Sequence, residues 1–266
     1  MKPTHNELRP KDSLTLYLRG LKLPAFVSHH EEVATVAEKS GWTFGQYLHH
    51  LCELEHGERR DRKVERLERQ SGLPREKTMA TLDLNRFPAA VKRQIPGLCE
   101  GDFTGRAENI LVFGLPGRGK SHLCCAIGFE LIRRGLAVLF IATYQLVQRL
   151  LIAKRELRLE KELKALDRYD VVILDDIGYV QQERSEMEVL FTFLAERYER
   201  RSVMITSNLV FSQWDKIFKD PMTTAAAIDR LVHHSIIIEL SNNSIREEEA
   251  QKRNGSKPAL GESSTK

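Results

Sequence analysis

Residues 114–121 read Gly114-Leu115-Pro116-Gly117-Arg118-Gly119-Lys120-Ser121, a complete G-x-x-x-x-G-K-S loop. An apolar run, Asn109-Ile110-Leu111-Val112-Phe113, leads into it, and a helical pattern over residues 122–134 leads out. Strand, glycine loop, helix is the context in which the pattern becomes a phosphate site. The glycines let the backbone wrap closely around phosphate. Successive N–H groups form an anion nest, and the helix adds its own unpaired N–H groups and positive dipole end. Lys120 supplies a point charge for the β and γ phosphates, and Ser121 a hydroxyl for Mg²⁺. The predicted nucleotide-binding set is therefore Gly114, Pro116, Gly117, Arg118, Gly119, Lys120, Ser121 and His122, with a nucleoside triphosphate as the ligand.

The chain around the loop alternates strands and helices. Candidate strands cover residues 110–113, 137–142, 171–174, 203–206 and 236–240, all short and rich in β-branched residues. Such runs suit a parallel sheet buried on both faces. Helical patterns fill residues 146–166, with a break, and 186–200. This is an α/β domain of doubly wound type. Residues up to 74 read as wholly helical. Leu14, Leu18 and Leu21 share a face, Val33, Val36 and Ala37 mark a second helix, and Thr43 caps a third carrying Phe44, Tyr47, Leu48, Leu51 and Leu54. Gly72-Leu73-Pro74 stops that third helix. The expected division is a helical module over 1–74, an ATPase domain over 75–248 and a disordered tail over 249–266.

Composition narrows the function classes. No apolar run approaches the ~18–20 residues that span a bilayer, and there is no apolar signal core, so the chain reads as cytoplasmic. Cys52, Cys99, Cys124 and Cys125 fit neither zinc-site nor disulfide spacing and read as buried, reduced thiols. Residues 59–77 carry eight basic side chains against four acids, an excess equal to the +4 of the whole 266-residue chain. A concentration of this kind points to a polyanionic partner. The candidates for DNA contact are Arg59, Arg60, Arg62, Lys63, Arg66 and Arg69. The competing reading is a solvated helix laced with i,i+4 pairs such as Glu58–Arg62 and Glu65–Arg69.

A second constellation completes the loop's chemistry. Val171-Val172-Ile173-Leu174 ends in Asp175-Asp176, and α/β sheets place ligand chemistry at strand ends. Asp175 is the expected partner of the Mg²⁺ held by Ser121, and Asp176 the group that orients or activates the attacking water. Thr206-Ser207-Asn208 ends the next strand. An amide there can bond the γ-phosphate or the water, although Thr-Ser-Asn alone is a common turn. Arg230, on a helical stretch before His233-His234, is the candidate for stabilising transition-state charge. The two histidines lack an evident third ligand and make a poor metal site.

These residues resemble a known family. Leu73-Pro74-Arg75-Glu76-Lys77-Thr78, the loop through His122, Leu174-Asp175-Asp176-Ile177-Gly178-Tyr179, Arg197-Tyr198-Glu199, Thr206-Ser207-Asn208, the segment from Trp214 to Asp220 and Asp229-Arg230-Leu231-Val232-His233-His234 all look like IstB proteins. These are ATP-binding transposition helpers similar to DnaC-like helicase loaders. The resemblance implies an AAA+ P-loop fold with helices on both sheet faces, and a Thr206-Ser207-Asn208 strand lying between those bearing the loop and Asp175. It implies Asn208 as sensor and Arg230 as an arginine acting in trans. It also implies ATP-dependent homo-oligomerisation on double-stranded DNA and a cognate transposase partner. Asp176 stands where AAA+ proteins commonly have Glu, Ile245 where the family tends to have Tyr, and Leu82-Asp83-Leu84 lacks aromatics often found there. The alternatives are a replicative helicase loader, a small-molecule kinase sharing the loop, and a scaffold that binds ATP with little hydrolysis.

Overall fold

The computed structural model describes residues 10–177, 184–209 and 231–240. The protein divides into two compact units, residues 1–66 and 67–266.

The first unit consists of α1 (Pro10–Gly20), α2 (Pro24–Ser40) and most of α3 (Phe44–Ser71). Proline at the start of α2 removes a backbone donor that would have had no partner, and Gly41 ends the helix in a left-handed turn. The Thr43 cap is present: Gln46 N–H donates to Thr43 Oγ1, while Thr43 N–H donates to Gln46 Oε1 at 2.8 Å. Leu18, Ala25, Val33, Ala37 and Leu51 make the small core. The predicted stripes are only partly buried. Phe44 is 92% exposed, and Leu14, Leu21, Val36 and Leu48 also face solvent. Three helices alone offer too little opposing surface to bury both edges of every stripe.

In the second unit all five predicted strands form one parallel sheet: β1 (Asn109–Phe113), β2 (Val138–Ala142), β3 (Val171–Ile177), β4 (Ser202–Ser207) and β5 (Ser235–Glu239). Their spatial order is β2-β3-β4-β1-β5, so β4 lies between the loop-bearing strand and the Asp175 strand, as the resemblance implies. On one face Leu111, Phe113, Val172, Leu174, Val203 and Ile205 pack against α7 (Thr143–Arg155), α8 (Leu159–Leu166) and α9 (Arg184–Arg197). On the other lies α6 (Lys120–Arg133), whose Gly128 packs closely against Ile173 and Leu73. The predicted break within residues 146–166 separates α7 from α8 at Leu157, which takes a positive φ. Ahead of the sheet come α4 (Ala89–Glu100) and the one-turn α5 (Asp102–Gly105). Among the described residues no helix is long and apolar enough to cross a membrane.

Arg197 holds one end of the sheet together. Its side chain is buried, 2% exposed, and donates to the carbonyls of Leu166 (3.2 Å), Tyr169 (3.0 Å), Asp170 (3.2 Å) and Ser202 (2.9 Å). Burial pushes this guanidinium down to about 10, partly offset by Asp167, so it stays charged at neutral pH. The Arg197-Tyr198-Glu199 motif therefore begins with a structural residue.

Candidate nucleotide site

The loop between β1 and α6 is shaped by two glycines in particular. A Cβ on Gly114 would sit 2.8 Å from the Leu240 carbonyl oxygen, so only glycine lets the end of β1 pass the end of β5. Gly119 precedes α6 at φ +89°, a left-handed conformation that other residues adopt at a cost. Lys120, 8% exposed, donates from Nζ to the carbonyls of Gly114 (2.7 Å) and Leu115 (3.1 Å), folding back on its own loop.

Pro116, Gly117, Arg118, Gly119, Lys120, Ser121 and His122 line a cleft of about 210 Å³ together with Lys77, Asp176, Thr206 and Asn208. Seven of the eight predicted nucleotide residues, all but Gly114, thus share one cavity with the predicted Asp176 and Asn208. Asn208 lines the cleft, and its Oδ1 is buried without a hydrogen-bond partner among the described residues. Asp175 is one step back. Its carboxylate is bonded by Thr206 Oγ1 at 2.7 Å, and its backbone carbonyl accepts from Thr143 Oγ1 at 3.0 Å. Asp176 is exposed toward the cleft with φ +62°.

Sequence reasoning misses two contributors. Lys77 counts there among the basic residues of 59–77, yet it lines the cleft. The segment bearing it is docked by His122, whose Nε2 lies 3.1 Å from Thr81 Oγ1 and 3.2 Å from the Thr78 carbonyl oxygen. A Thr78/Thr81 capping box rigidifies the short 3₁₀ turn Met79–Thr81. Thr206, which by sequence belongs to a turn motif, is a buried link between the two aspartates.

The remaining candidates divide. Arg230 lies outside the described residues, as do Gly178, Tyr179, Trp214, Ile245 and the 249–266 tail. His233 and His234 stack edge to face at 4.4 Å, and His234 meets Glu199 at 3.4 Å. Among the described residues no cluster of three or more metal-ligating side chains exists. The expectation of four buried thiols holds only in part. Cys124 and Cys125 are buried, with desolvation pushing both thiols up, Cys125 to about 12, whereas Cys52 is exposed because it sits one position off the apolar stripe of α3.

On α3, Arg59 donates to the buried Glu55 at 2.6 Å, and Arg62 approaches both Glu55 (3.7 Å) and Glu58 (3.8 Å). Glu55 also accepts the Ala25 N–H at the start of α2. The Glu58–Arg62 pair expected from spacing is thus formed. Among the described residues no carboxylate pairs with Lys63, Arg66 or Arg69, so the second expected pair, Glu65–Arg69, is not formed. Lys63 and Arg66 fall on one side of the helix by their spacing.

The IstB-like ATP-binding protein family matches residues 17–253. A protein named an insertion sequence ATP-binding protein in Sinorhizobium fredii is 41% identical over 262 residues, covering 97% of this chain and 88% of its own. The IS5376 ATP-binding protein of Geobacillus stearothermophilus is 36% identical over 89% of this chain and 94% of its own. The IS21 ATP-binding protein of Pseudomonas aeruginosa is 34% identical over 90% of each. In fold, DnaI matches 64% of this chain and 96% of its own with a TM-score of 0.54 at 20% identity. AMPPCP-bound DnaA from Aquifex aeolicus matches 69% and 57%, also at 0.54, with 19% identity. The sheet order, the phosphate loop and these likenesses agree on an AAA+ P-loop fold, and the chain belongs to the IstB-like ATP-binding protein family.

Proposed function

We propose that this protein is an ATP-hydrolysing assembly factor that oligomerises on duplex DNA and recruits or stimulates a cognate transposase. One observation carries the reading: the phosphate loop, Asp176 and Asn208 share a single cleft, in a chain whose relatives are named for insertion sequences. ATP lies with its phosphates on the loop and on the first turn of α6. Lys120 exchanges the Gly114 and Leu115 carbonyls for phosphate oxygens, a stronger charge-assisted bond. The Ser121 hydroxyl and the Asp175 carboxylate are hard oxygen donors suited to Mg²⁺. When bound, that ion neutralises charge developing on the phosphates. Asp176 orients the water that attacks the γ-phosphorus, and the Asn208 amide nitrogen donates to the γ-phosphate. The bond to the β–γ bridging oxygen breaks, leaving ADP and phosphate.

Arg230 completes the site from a neighbouring copy. A head-to-tail arrangement of this kind either closes into a ring or runs on as a helix, and a helix suits wrapping of DNA. Arg230→Ala then spares ATP binding by the single subunit but lowers hydrolysis of the assembly. Mixing it with Lys120→Ala subunits restores activity, since one partner supplies the arginine and the other the nucleotide. Absence of rescue in mixed turnover assays counts against action in trans.

DNA binding is assigned to the basic side of α3. Lys63, Arg66 and Arg69 face backbone phosphates, while Arg59 and Arg62 are shared with Glu55 and Glu58. The test is electron microscopy of the full chain with duplex DNA, with and without ATP, where an ATP-dependent ring or filament is expected. DNA-bound protein indifferent to ATP would remove the reading. Neutralising Lys63, Arg66 and Arg69 together should reduce the log–log salt slope of DNA binding by about 3, close to one for each phosphate left without its cation. An unchanged slope returns these residues to the solvent.

A further inference from the structure

The two aspartates sit on an irregular stretch of sheet, and one residue of β4 holds it. Leu174 pairs with Ile205, and the next pairing is Ile177 with Ser207. Two residues of β3, Asp175 and Asp176, therefore stand opposite a single residue of β4, Thr206. This is a β-bulge, which strips the extra residue of its ladder partner and turns the local backbone. Asp176 takes the turn, with φ +62°.

Thr206 takes up the bonding that the bulge disrupts. The Asp176 N–H donates to Thr206 Oγ1 at 2.8 Å, and the same hydroxyl donates its one proton to Asp175 Oδ1 at 2.7 Å. The roles follow from chemistry: an amide N–H only donates and a carboxylate only accepts, so the hydroxyl must accept from one and donate to the other. Thr206 is 1% exposed, so water competes little for either bond. The Asp175 backbone is pinned independently by Thr143. One carboxylate oxygen of Asp175 is thereby committed, and the other is left for a cation. Meanwhile the backbone of Asp176 is held where its side chain opens on the cleft.

We propose that Thr206 is the positioning residue of this site. Its hydroxyl selects the Asp175 oxygen offered to Mg²⁺ and fixes the bulge that presents Asp176 to the attacking water. The proposal rests on the roles given above to those two aspartates. An outer hydroxyl that orients a ligating carboxylate is the kind of group whose loss costs metal affinity without touching the metal.

The experiment compares Thr206→Val, which keeps shape and loses the hydroxyl, with Thr206→Ser, which keeps the hydroxyl. Binding of a fluorescent ATP analogue to the full chain is followed across a Mg²⁺ titration and again in EDTA, beside turnover and metal-free thermal unfolding. In Thr206→Val the Mg²⁺ midpoint should rise, and turnover fall, by about 10- to 100-fold. Binding in EDTA should stay within about twofold, since the loop's bonds to phosphate are untouched. Thr206→Ser should restore both to within about threefold, because the two hydrogen bonds persist. If Thr206→Val fails to unfold cooperatively, Thr206→Ala against Thr206→Ser gives the same comparison with less crowding.

A variant lacking the hydroxyl with parental Mg²⁺ dependence and turnover, beside an Asp175→Asn that loses both, would overturn the positioning role alone. A loss confined to thermal stability would overturn it equally. An Asp175→Asn variant with parental Mg²⁺ dependence would instead bring down the assignment of Asp175, and the proposal with it.

Discussion

Lys120→Ala should abolish ATP-dependent assembly by weakening MgATP binding at least about 100-fold. Hydrogen bonds to charged groups contribute about 1.5–3 kcal/mol each, and Lys120 is placed to make one to each of two phosphates. Two such bonds correspond to two or more decades of affinity. The mutation also removes two bonds to the loop carbonyls in the nucleotide-free protein. With a charged donor these bonds are worth about 1.5–3 kcal/mol apiece at most, but removing the lysine also ends the cost of burying its charge, so the free protein should stay folded. Calorimetric titration with MgATP, beside circular dichroism of the unliganded variant, separates the two effects. A folded variant binding within about threefold of the parent would remove the loop from the site.

Arg197→Met should destabilise the second unit by about 3–5 kcal/mol, since a buried acceptor left without its donor costs about 1–3 kcal/mol and several are left at once. The change keeps the apolar stem but leaves the carbonyls of Leu166, Tyr169, Asp170 and Ser202 without their donor. For a unit of this size, 1 kcal/mol moves the melting temperature by about 2–4 °C. A drop on the order of 10 °C is thus expected in thermal unfolding. Arg197→Lys should recover little of it, because a point ammonium cannot span carbonyls that a planar fork reaches together. A loss below about 1 kcal/mol would mean that Ser202 and its neighbours find other donors, and that the motif is kept for another reason.

The parts legible in the sequence are those whose cause is local. The phosphate loop announces itself because its spacing is its mechanism. The five strands stand out because a parallel sheet buried on both faces needs unbroken apolar runs. The place of β4 between β1 and β3 comes from the family resemblance rather than from periodicity. The parts that stay hidden depend on residues far apart in the chain. Thr206 meets Asp175 across 31 residues of chain, and only the register shift between β3 and β4 reveals why a hydroxyl is needed there. Arg197 reaches carbonyls 27 and 31 residues back along the chain. Lys77 misleads by charge counting, which treats residues 59–77 as one stretch although α3 ends at Ser71 and Lys77 belongs to the cleft. Arg59 looks like a free cation in the sequence, whereas the fold buries Glu55 beneath it.

The left-handed backbone at Asp176 also bears on how this position can change over time. Aspartate and glutamate codons differ by a single third base, so mutation offers glutamate here again and again. Asp and Asn tolerate the left-handed region because their short polar arms bond locally, while longer side chains incur about 1–2 kcal/mol for it. The bulge therefore weighs against a substitution that looks conservative on paper. The cost is one the chain bears elsewhere, with Glu199 at φ +56° and Leu157 at φ +55°, so the bulge disfavours the longer arm at this position without forbidding it.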